Sequence, residues 1–332
     1  MEILVLDLIT AIIVAIYSFF VGIISSMLGV GGGFINNPIL QLLFGFDPKE
    51  SSSTASFATI GLAIAASLAF YMQKPRPVHY KLGLVFACLT VPGALLGVTI
   101  RNMIDNEQLR IIFGLLLLPI AIRMVLFPKK KRKKEIDDFT PPLISELPQE
   151  RLMMGLAFGF FGGFMAGMLG IGGGVIIVPI LSSLIGLPIH VAVATSSFVM
   201  IFTSSAATAL NIINDVSLIA NGGDPFIQLG YGIILMVGMV IGSQIGARTV
   251  KKFGSENLQS LFGIVMGFPL LRMMQTSIEN LSVEAGAAVL DPFLSIIITL
   301  VAWIIFSIVL LFIKYNLKIR KKIVSPVEDE SN

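Results

Sequence analysis

Long apolar stretches with few charges dominate the chain, and their lengths predict helices that cross a membrane. A helix needs about 20 apolar residues to span the hydrocarbon core of a bilayer. Two shorter stretches, 34–46 and 175–187, each follow a glycine-rich segment, and their roughly 13 residues form only ~20 Å of helix. No basic residue precedes the first long stretch, which is therefore predicted to be a retained helix rather than a signal peptide. The stretches of spanning length are residues 3–27, 53–72, 82–100, 109–127, 152–169, 191–213, 227–247, 258–274 and 292–313.

An internal repeat relates the two halves of the chain. A glycine-rich motif, a proline and a Thr-x-Ser-Phe segment recur at an offset of 141 residues without a gap, and a later Gly-xxx-Gly pair recurs at an offset of 149. The repeat predicts residues 1–128 and 151–275 as homologous halves of five segments each. A basic linker (129–150) joins them, and an external loop with one extra helix (276–315) and a tail (316–332) follow.

The distribution of basic residues predicts how the halves face. Basic residues near span ends mark the cytoplasmic side. If each short segment completes a crossing, only Lys49, Arg101, Arg110 and Arg272 of the 23 Lys and Arg residues lie outside. If the short segments are re-entrant, the two sides carry nearly equal numbers. The first arrangement puts the N-terminus outside and the linker and tail in the cytoplasm. Because each half then crosses the membrane five times, an odd number, the second half is inserted upside down relative to the first. The predicted fold class is therefore an all-α polytopic membrane protein with an inverted 5+5 repeat, short broken helices and one extra C-terminal helix.

Composition excludes several function classes. Apolar residues make up 55% of the chain and charged residues 13%, whereas soluble domains carry about 25% charged residues. One cysteine and two histidines exclude a disulfide framework and leave little for a metal site. We expect no catalytic residues, metal, cofactor or nucleic-acid partner. The expected partners are the lipid bilayer and a small anion, and homo-oligomerisation stays open. No carboxylate is predicted deep in a span, so a carboxylate proton relay is not indicated.

The glycine-rich breaks are the candidate site. Irregular backbone inside a bilayer must be buried in protein or line a wet cavity, and the N–H groups at a helix start suit an anion. Nearby hydroxyl and amide groups add neutral donors. The alternatives are that the glycines serve helix packing and that the hydroxyls bond back to their own helix. The roles of Arg123 and Arg272 stay open. The candidate binding residues are Gly31, Gly32, Gly33, Asn36, Asn37, Thr54, Ser56, Gly172, Gly173, Gly174, Thr195, Ser196, Ser197 and Gln244, and the structural motif residues are Gly29, Pro38, Gly170 and Pro179.

The doubled Gly-x-Gly-Gly-Gly-(x)4-Pro motif, each copy followed by Thr-x-Ser-Phe and later by Leu…Phe-Gly, resembles the TauE/SafE family of sulfite exporters. The resemblance implies a cell-membrane transporter of sulfur-containing anions such as sulfite or short organosulfonates. We expect export by alternating access, with the anion held at the two opposed breaks near the membrane midplane. Two alternatives remain at this point. One is an anion channel that uses the same donors, and the other is a membrane-embedded enzyme or assembly factor.

Overall fold

The computed structural model of the protein describes residues 8–74, 76–126, 148–250 and 292–328, together with isolated positions between 260 and 279. All regular secondary structure in these residues is helical. Seven of the described helices are long and apolar enough to cross a membrane. The prediction of an all-α polytopic membrane protein is therefore confirmed. The basic linker lies almost entirely outside the described residues, as do Arg272 and the side chain of Arg123.

Except at the ends of the eighth and tenth helices, the helix bounds lie within about five residues of the predicted stretches. A short π-helical turn, Ile180–Leu184, directly continues the second short helix. The helices are α1 (Leu8–Leu28), α2 (Gly33–Phe44), α3 (Pro48–Tyr71), α4 (Tyr80–Met103), α5 (Asn106–Leu126), α6 (Gln149–Leu169), α7 (Gly174–Pro179), α8 (Ile189–Ala220), α9 (Leu229–Thr249) and α10 (Pro292–Glu328).

Local sequence signals explain several helix starts. Pro48 occupies the first turn of α3, and the Asp47 N–H donates to the Glu50 carboxylate at 3.1 Å, which satisfies a donor that the helix leaves free. The Nδ1 atom of His79 accepts the Leu82 N–H at 3.2 Å at the start of α4. Gly222, with a φ of 80°, follows the end of α8, where a left-handed residue stops a helix.

The chain divides into two compact units, of which the first contains residues 1–109 and 130–255. In this unit α1 packs against α9 and α4 against α6, while α3 and α8 contact each other and further helices. The most apolar windows of α3 and α8 are 78% and 72% buried, against 28% for α1 and 39% for α9. These two helices therefore form the interior of the unit. The outer helices expose Ile16, Leu96 and Ile241, which suits contact with acyl chains.

The second unit contains residues 110–129 and 256–332. The indole N–H of Trp303 in α10 donates to the carbonyl of Ile264 at 2.8 Å, and a Cβ on Gly267 would lie 3.0 Å from the Phe306 ring. Helix α10 continues to residue 328, beyond the predicted span 292–313, so most of the predicted tail is helical. Most of the predicted span 258–274 lies outside the described residues.

Helix α8 corrects one expectation. It runs to Ala220, seven residues beyond the predicted span 191–213, and Asp215 is a buried helical residue rather than part of a loop. A carboxylate therefore does lie within a long helix of the interior. The prediction was wrong here because Asn214, Asp215 and Ser217 are residue types typical of a loop. Only Asp215 is buried, where it accepts the N–H groups of Phe226 and Ile227 in the loop that follows the helix.

Candidate functional site

The two glycine breaks, residues 29–33 (the first break) and 170–174 (the second break), lie in direct contact with each other. A Cβ added to Gly33 would collide with the carbonyl oxygen of Gly170, and one added to Gly174 would collide with that of Gly29. These contacts are reciprocal, because Gly33 and Gly174 are counterparts at the offset of 141, as are Gly29 and Gly170. Only glycine permits backbones to approach so closely.

Further contacts repeat the same reciprocity. A Cβ on Gly93 would meet the backbone of Phe160, and a Cβ on Gly242 would meet that of Phe19. Gly93 and Gly242 correspond at the offset of 149, and Phe19 and Phe160 correspond at the offset of 141. The Gly-xxx-Gly pairs therefore hold α4 against α6 and α9 against α1, in agreement with a packing role. The inverted orientation of the halves in a membrane stays a prediction.

At each break, the backbone N–H groups of the three successive glycines make no hydrogen bond within a helix. Gly29 and Gly170 both have a φ of 66°, in the left-handed region that favours glycine. Helices α2 and α7 then begin at Gly33 and Gly174, with no side-chain cap at the preceding glycine. Among the described residues, no backbone carbonyl accepts from the N–H groups of the three successive glycines of either break. All six glycines are buried.

The prolines of the two copies lie at different points. Pro38 is inside α2, whereas Pro179 is the last residue of α7, where the chain changes to the π-helical turn. A proline lacks the N–H that continues the hydrogen-bond ladder, so the second short segment changes its winding there. The change of winding is seen only in the second copy, since Pro38 lies within a continuous α-helix, and a shaping role for both prolines stays a prediction.

Asn36 and Asn37 fix the first short helix. The Tyr17 hydroxyl donates to the Asn36 Oδ1 atom, and the Asn37 Nδ2 group donates to the Leu169 carbonyl next to the second break. The Asn37 Oδ1 atom is buried and has no hydrogen-bond partner in the described part of the chain. Asn37 thus links the first short helix to the residue just before the second break and leaves one acceptor unused.

The threonines of the two Thr-x-Ser-Phe segments both accept an N–H group at the start of another helix. Thr54 Oγ1 accepts the Gln228 N–H and Thr195 Oγ1 accepts the His79 N–H, both at 3.0 Å, and these amides begin α9 and α4. The two threonine hydroxyls are therefore engaged in placing helix starts.

The remaining predicted polar residues divide between the breaks and other contacts. Ser196 Oγ donates to the Gly29 carbonyl at 2.9 Å, which ties α8 to the first break. Ser197 Oγ bonds back to the Val193 carbonyl of its own helix, as the alternative reading expected. Ser56 is buried in α3. Gln244 Nε2 donates to the Ala65 carbonyl at 2.9 Å and so links α9 to α3.

A buried arginine is the main feature that the sequence reading missed. Arg101 was assigned only to the outer side, but its side chain is fully buried. Its guanidinium donates to the hydroxyls of Ser52 and Ser53 and to the amide oxygens of Asn102 and Asn211, at distances from 2.9 to 3.3 Å. Asn211 was detectable, because it is a lone amide inside an apolar stretch; nothing in the local sequence marks Arg101 as buried.

Comparison with known proteins agrees with a transport role. The family model described as sulfite exporter TauE/SafE matches residues 13–273. A probable membrane transporter protein of Bacillus subtilis, YunE, is 26% identical over 271 residues, which cover 77% of this chain and 94% of the relative. A probable membrane transporter protein of Methanocaldococcus jannaschii is 26% identical over 265 residues, covering 78% of this chain and 93% of the relative. YfcA of Escherichia coli, also a probable membrane transporter protein, is 23% identical over 261 residues, covering 77% and 86%. No solved structure matches this chain.

Proposed function

Because this chain belongs to the sulfite exporter TauE/SafE family and is a membrane transporter, we propose that its substrate is a small sulfur-containing oxyanion, sulfite or a short organosulfonate. The anion is held where the two glycine breaks meet and is exported by alternating access. The transporter lies in the cytoplasmic membrane, with its N-terminus outside and its linker and tail inside, as the distribution of basic residues predicts.

One observation carries this proposal: six buried glycine N–H groups at two touching breaks have no backbone acceptor among the described residues. A buried amide without a partner costs about 1–3 kcal/mol, so such a group indicates that something else accepts its hydrogen bond. Oxyanions present several acceptor oxygens, and helix starts with exposed N–H groups bind them.

The contact between the breaks also supports a site at the midplane. In the predicted topology, α1 brings the chain to the first break from outside, whereas α6 brings it to the second break from inside. Two breaks that enter from opposite faces and touch each other meet near the middle of the bilayer. Transporters with inverted repeats bind their substrates at such a position.

Transport by purified protein in proteoliposomes tests the proposal. We expect the wild type to move radiolabelled sulfite or methanesulfonate, and Gly32→Ala to reduce transport by at least about tenfold, the equivalent of one hydrogen bond to a charged group. Gly32 is the sharpest position, because a Cβ there would contact the end of the flexible Met239 side chain, which can move away. The protein should therefore stay folded while a methyl group obstructs the start of α2.

Gly223→Ala is the matched control. Gly223 lies in the loop after α8, and its added Cβ would make ordinary contacts of 3.4 Å or longer. This variant should transport like the wild type. Equal transport by Gly32→Ala and wild type, at equal amounts of folded protein, would refute the site. A wild type that moves none of sulfite, thiosulfate or organosulfonates would refute the substrate class.

A further inference from the structure

A row of buried polar side chains follows one face of α8. Ser204, Thr208 and Asn211 are spaced by four and three residues, which places them on the same face of a helix. Their side chains are 1%, 3% and 0% exposed. We call these three residues the α8 seam.

The polar atoms of the α8 seam lack partners. In the part of the chain that the structure describes, Ser204 Oγ, Thr208 Oγ1 and Asn211 Nδ2 are buried and make no hydrogen bond. Interior hydroxyls normally bond at least to a carbonyl of their own helix. The neighbouring Thr203 does so, because its hydroxyl meets Thr90 Oγ1 at 2.9 Å and the Val199 carbonyl at 3.2 Å. The seam therefore offers donors that the fold itself does not use.

Arg101 supplies positive charge at one end of the seam. Its N–H groups donate to the neutral oxygens described above, one of which is the Oδ1 atom of Asn211. Within the described residues no carboxylate forms an ion pair with it. Asp215, one turn beyond Asn211, instead accepts the N–H groups of Phe226 and Ile227 at 2.8 and 3.0 Å. The Asp215 carboxylate acts on Arg101 through space and partly balances its charge, but every hydrogen-bond acceptor of the guanidinium is neutral, so Arg101 can still attract an anion through its charge.

Residues next to the two ends of the seam contact the second break. Met200, one turn before Ser204, approaches Gly172 and Gly174, whose added Cβ atoms would lie 3.4 and 2.9 Å from its sulfur. At the other end, Ser52 accepts from Arg101 at 2.9 Å, and its backbone packs against Gly170. The eleven residues from Met200 to Asn211 extend for ~16 Å along α8. The seam itself covers ~10 Å of this length and lies between the two residues, Met200 and Ser52, that contact the second break.

We propose that the α8 seam is a binding surface for the transported oxyanion, with the Ser204 and Thr208 hydroxyls and the Asn211 amide as donors and Arg101 as the charge that attracts it. This inference rests on the proposed function and extends its site towards Arg101. Arg101 acts through its charge, since its own N–H groups already have acceptors. Because the seam is buried in this conformation, the anion reaches it only when the transport cycle exposes this face of α8.

Thr208→Val and Ser204→Ala test the seam, because they remove hydroxyls that hold nothing in the fold. In proteoliposomes that transport sulfite, we expect each substitution to raise KM by about tenfold, the equivalent of one hydrogen bond to a charged group. The melting temperature in detergent should stay the same or rise. Thr203→Val is the matched control on an adjacent face of α8. It should lower the melting temperature and leave KM unchanged.

Arg101 gives a second arm. Arg101→Lys should keep measurable sulfite transport, because the charge remains, whereas Arg101→Gln should reduce transport at least about tenfold below Arg101→Lys.

An unchanged KM in Thr208→Val and Ser204→Ala would overturn the proposal that the seam binds the anion. If Gly32→Ala still blocks transport in that case, the site at the breaks stands and the seam alone is wrong. A wild type that moves no sulfur oxyanion would overturn both proposals.

Discussion

The two copies of the repeat share a backbone arrangement but differ in their polar side chains. Each copy has a glycine break with matched φ values at Gly29 and Gly170, and each makes the same reciprocal contacts with the other. The α8 seam, in contrast, has no polar equivalent in α3 at two of its three positions. At the offset of 141, Ala63 and Phe70 stand where Ser204 and Asn211 lie, and only Thr208 has a hydroxyl counterpart, Ser67.

This difference separates the residues that hold the two copies together from the polar residues proposed to bind the substrate. Reciprocal contacts require glycine on both sides, because each carbonyl occupies the volume that a Cβ would fill. The groups that donate hydrogen bonds to a substrate need not be repeated in both copies, because a single anion contacts only the donors around its own position. The first copy instead carries its amides at Asn36 and Asn37, where the second copy has Ile177 and Val178. A symmetric frame can therefore hold an asymmetric binding surface.

The largest expected effect is the loss of the reciprocal contact. Gly33→Ala and Gly174→Ala each force a methyl group into a backbone carbonyl that no side-chain movement can clear. We expect each to destabilise the protein by about 3 kcal/mol or more and to lower the yield of folded protein. Melting curves in detergent measure this. Because the contacts are reciprocal, the two losses should be similar; a loss in one variant alone would break the equivalence of the copies.

A smaller effect should mark the polar asymmetry of the first copy. Asn37→Val introduces the aliphatic type found at its counterpart Val178 and removes the amide that bonds the Leu169 carbonyl. We expect a cost of about 1–3 kcal/mol, since a buried carbonyl loses its partner. Asn221→Val is the control, because Asn221 makes the same kind of bond, to the Ser217 carbonyl, on the exposed surface. Equal losses of stability in Asn37→Val and Asn221→Val would show that the buried Asn37 bond contributes no more to stability than an exposed bond of the same type.

Helix positions could be predicted from the sequence because hydrophobic length determines them. The short segments could be predicted too, since the apolar stretch after each glycine break has only about 13 residues, too few to span the bilayer as one uninterrupted helix. The end of α8 could not be placed, because polar residues such as Asp215 are typical of loops when considered alone. Their place in the helix depends on the loop that folds back to donate its N–H groups.

The glycine part of the candidate site could be predicted because repeated glycines mark backbone geometry directly. Hydroxyl roles could not be assigned, since Ser196 and Ser197 are neighbours of the same type, yet Ser196 bonds to the first break and Ser197 to its own helix. Arg101 could not be identified as buried, because its burial arises from α3 and α8, which are distant in sequence. Tertiary contacts decide such cases.

The smallest expected effect concerns the threonines that the two copies use in the same way. Thr54→Val and Thr195→Val each remove the acceptor for one amide, of Gln228 and His79 respectively. Thr54→Val also removes a long bond, of 3.4 Å, to the Phe226 carbonyl. We expect each to cost about 1 kcal/mol of stability, the usual net value of one hydrogen bond, and to leave the KM for sulfite unchanged. Melting curves and proteoliposome uptake, measured on the same preparations, separate the two quantities. A raised KM at unchanged stability would instead make these hydroxyls substrate ligands, and the binding surface would then be symmetric between the copies. Unchanged KM with matched losses of stability assigns the threonines to the frame, because the same helix starts need the same acceptors in both halves.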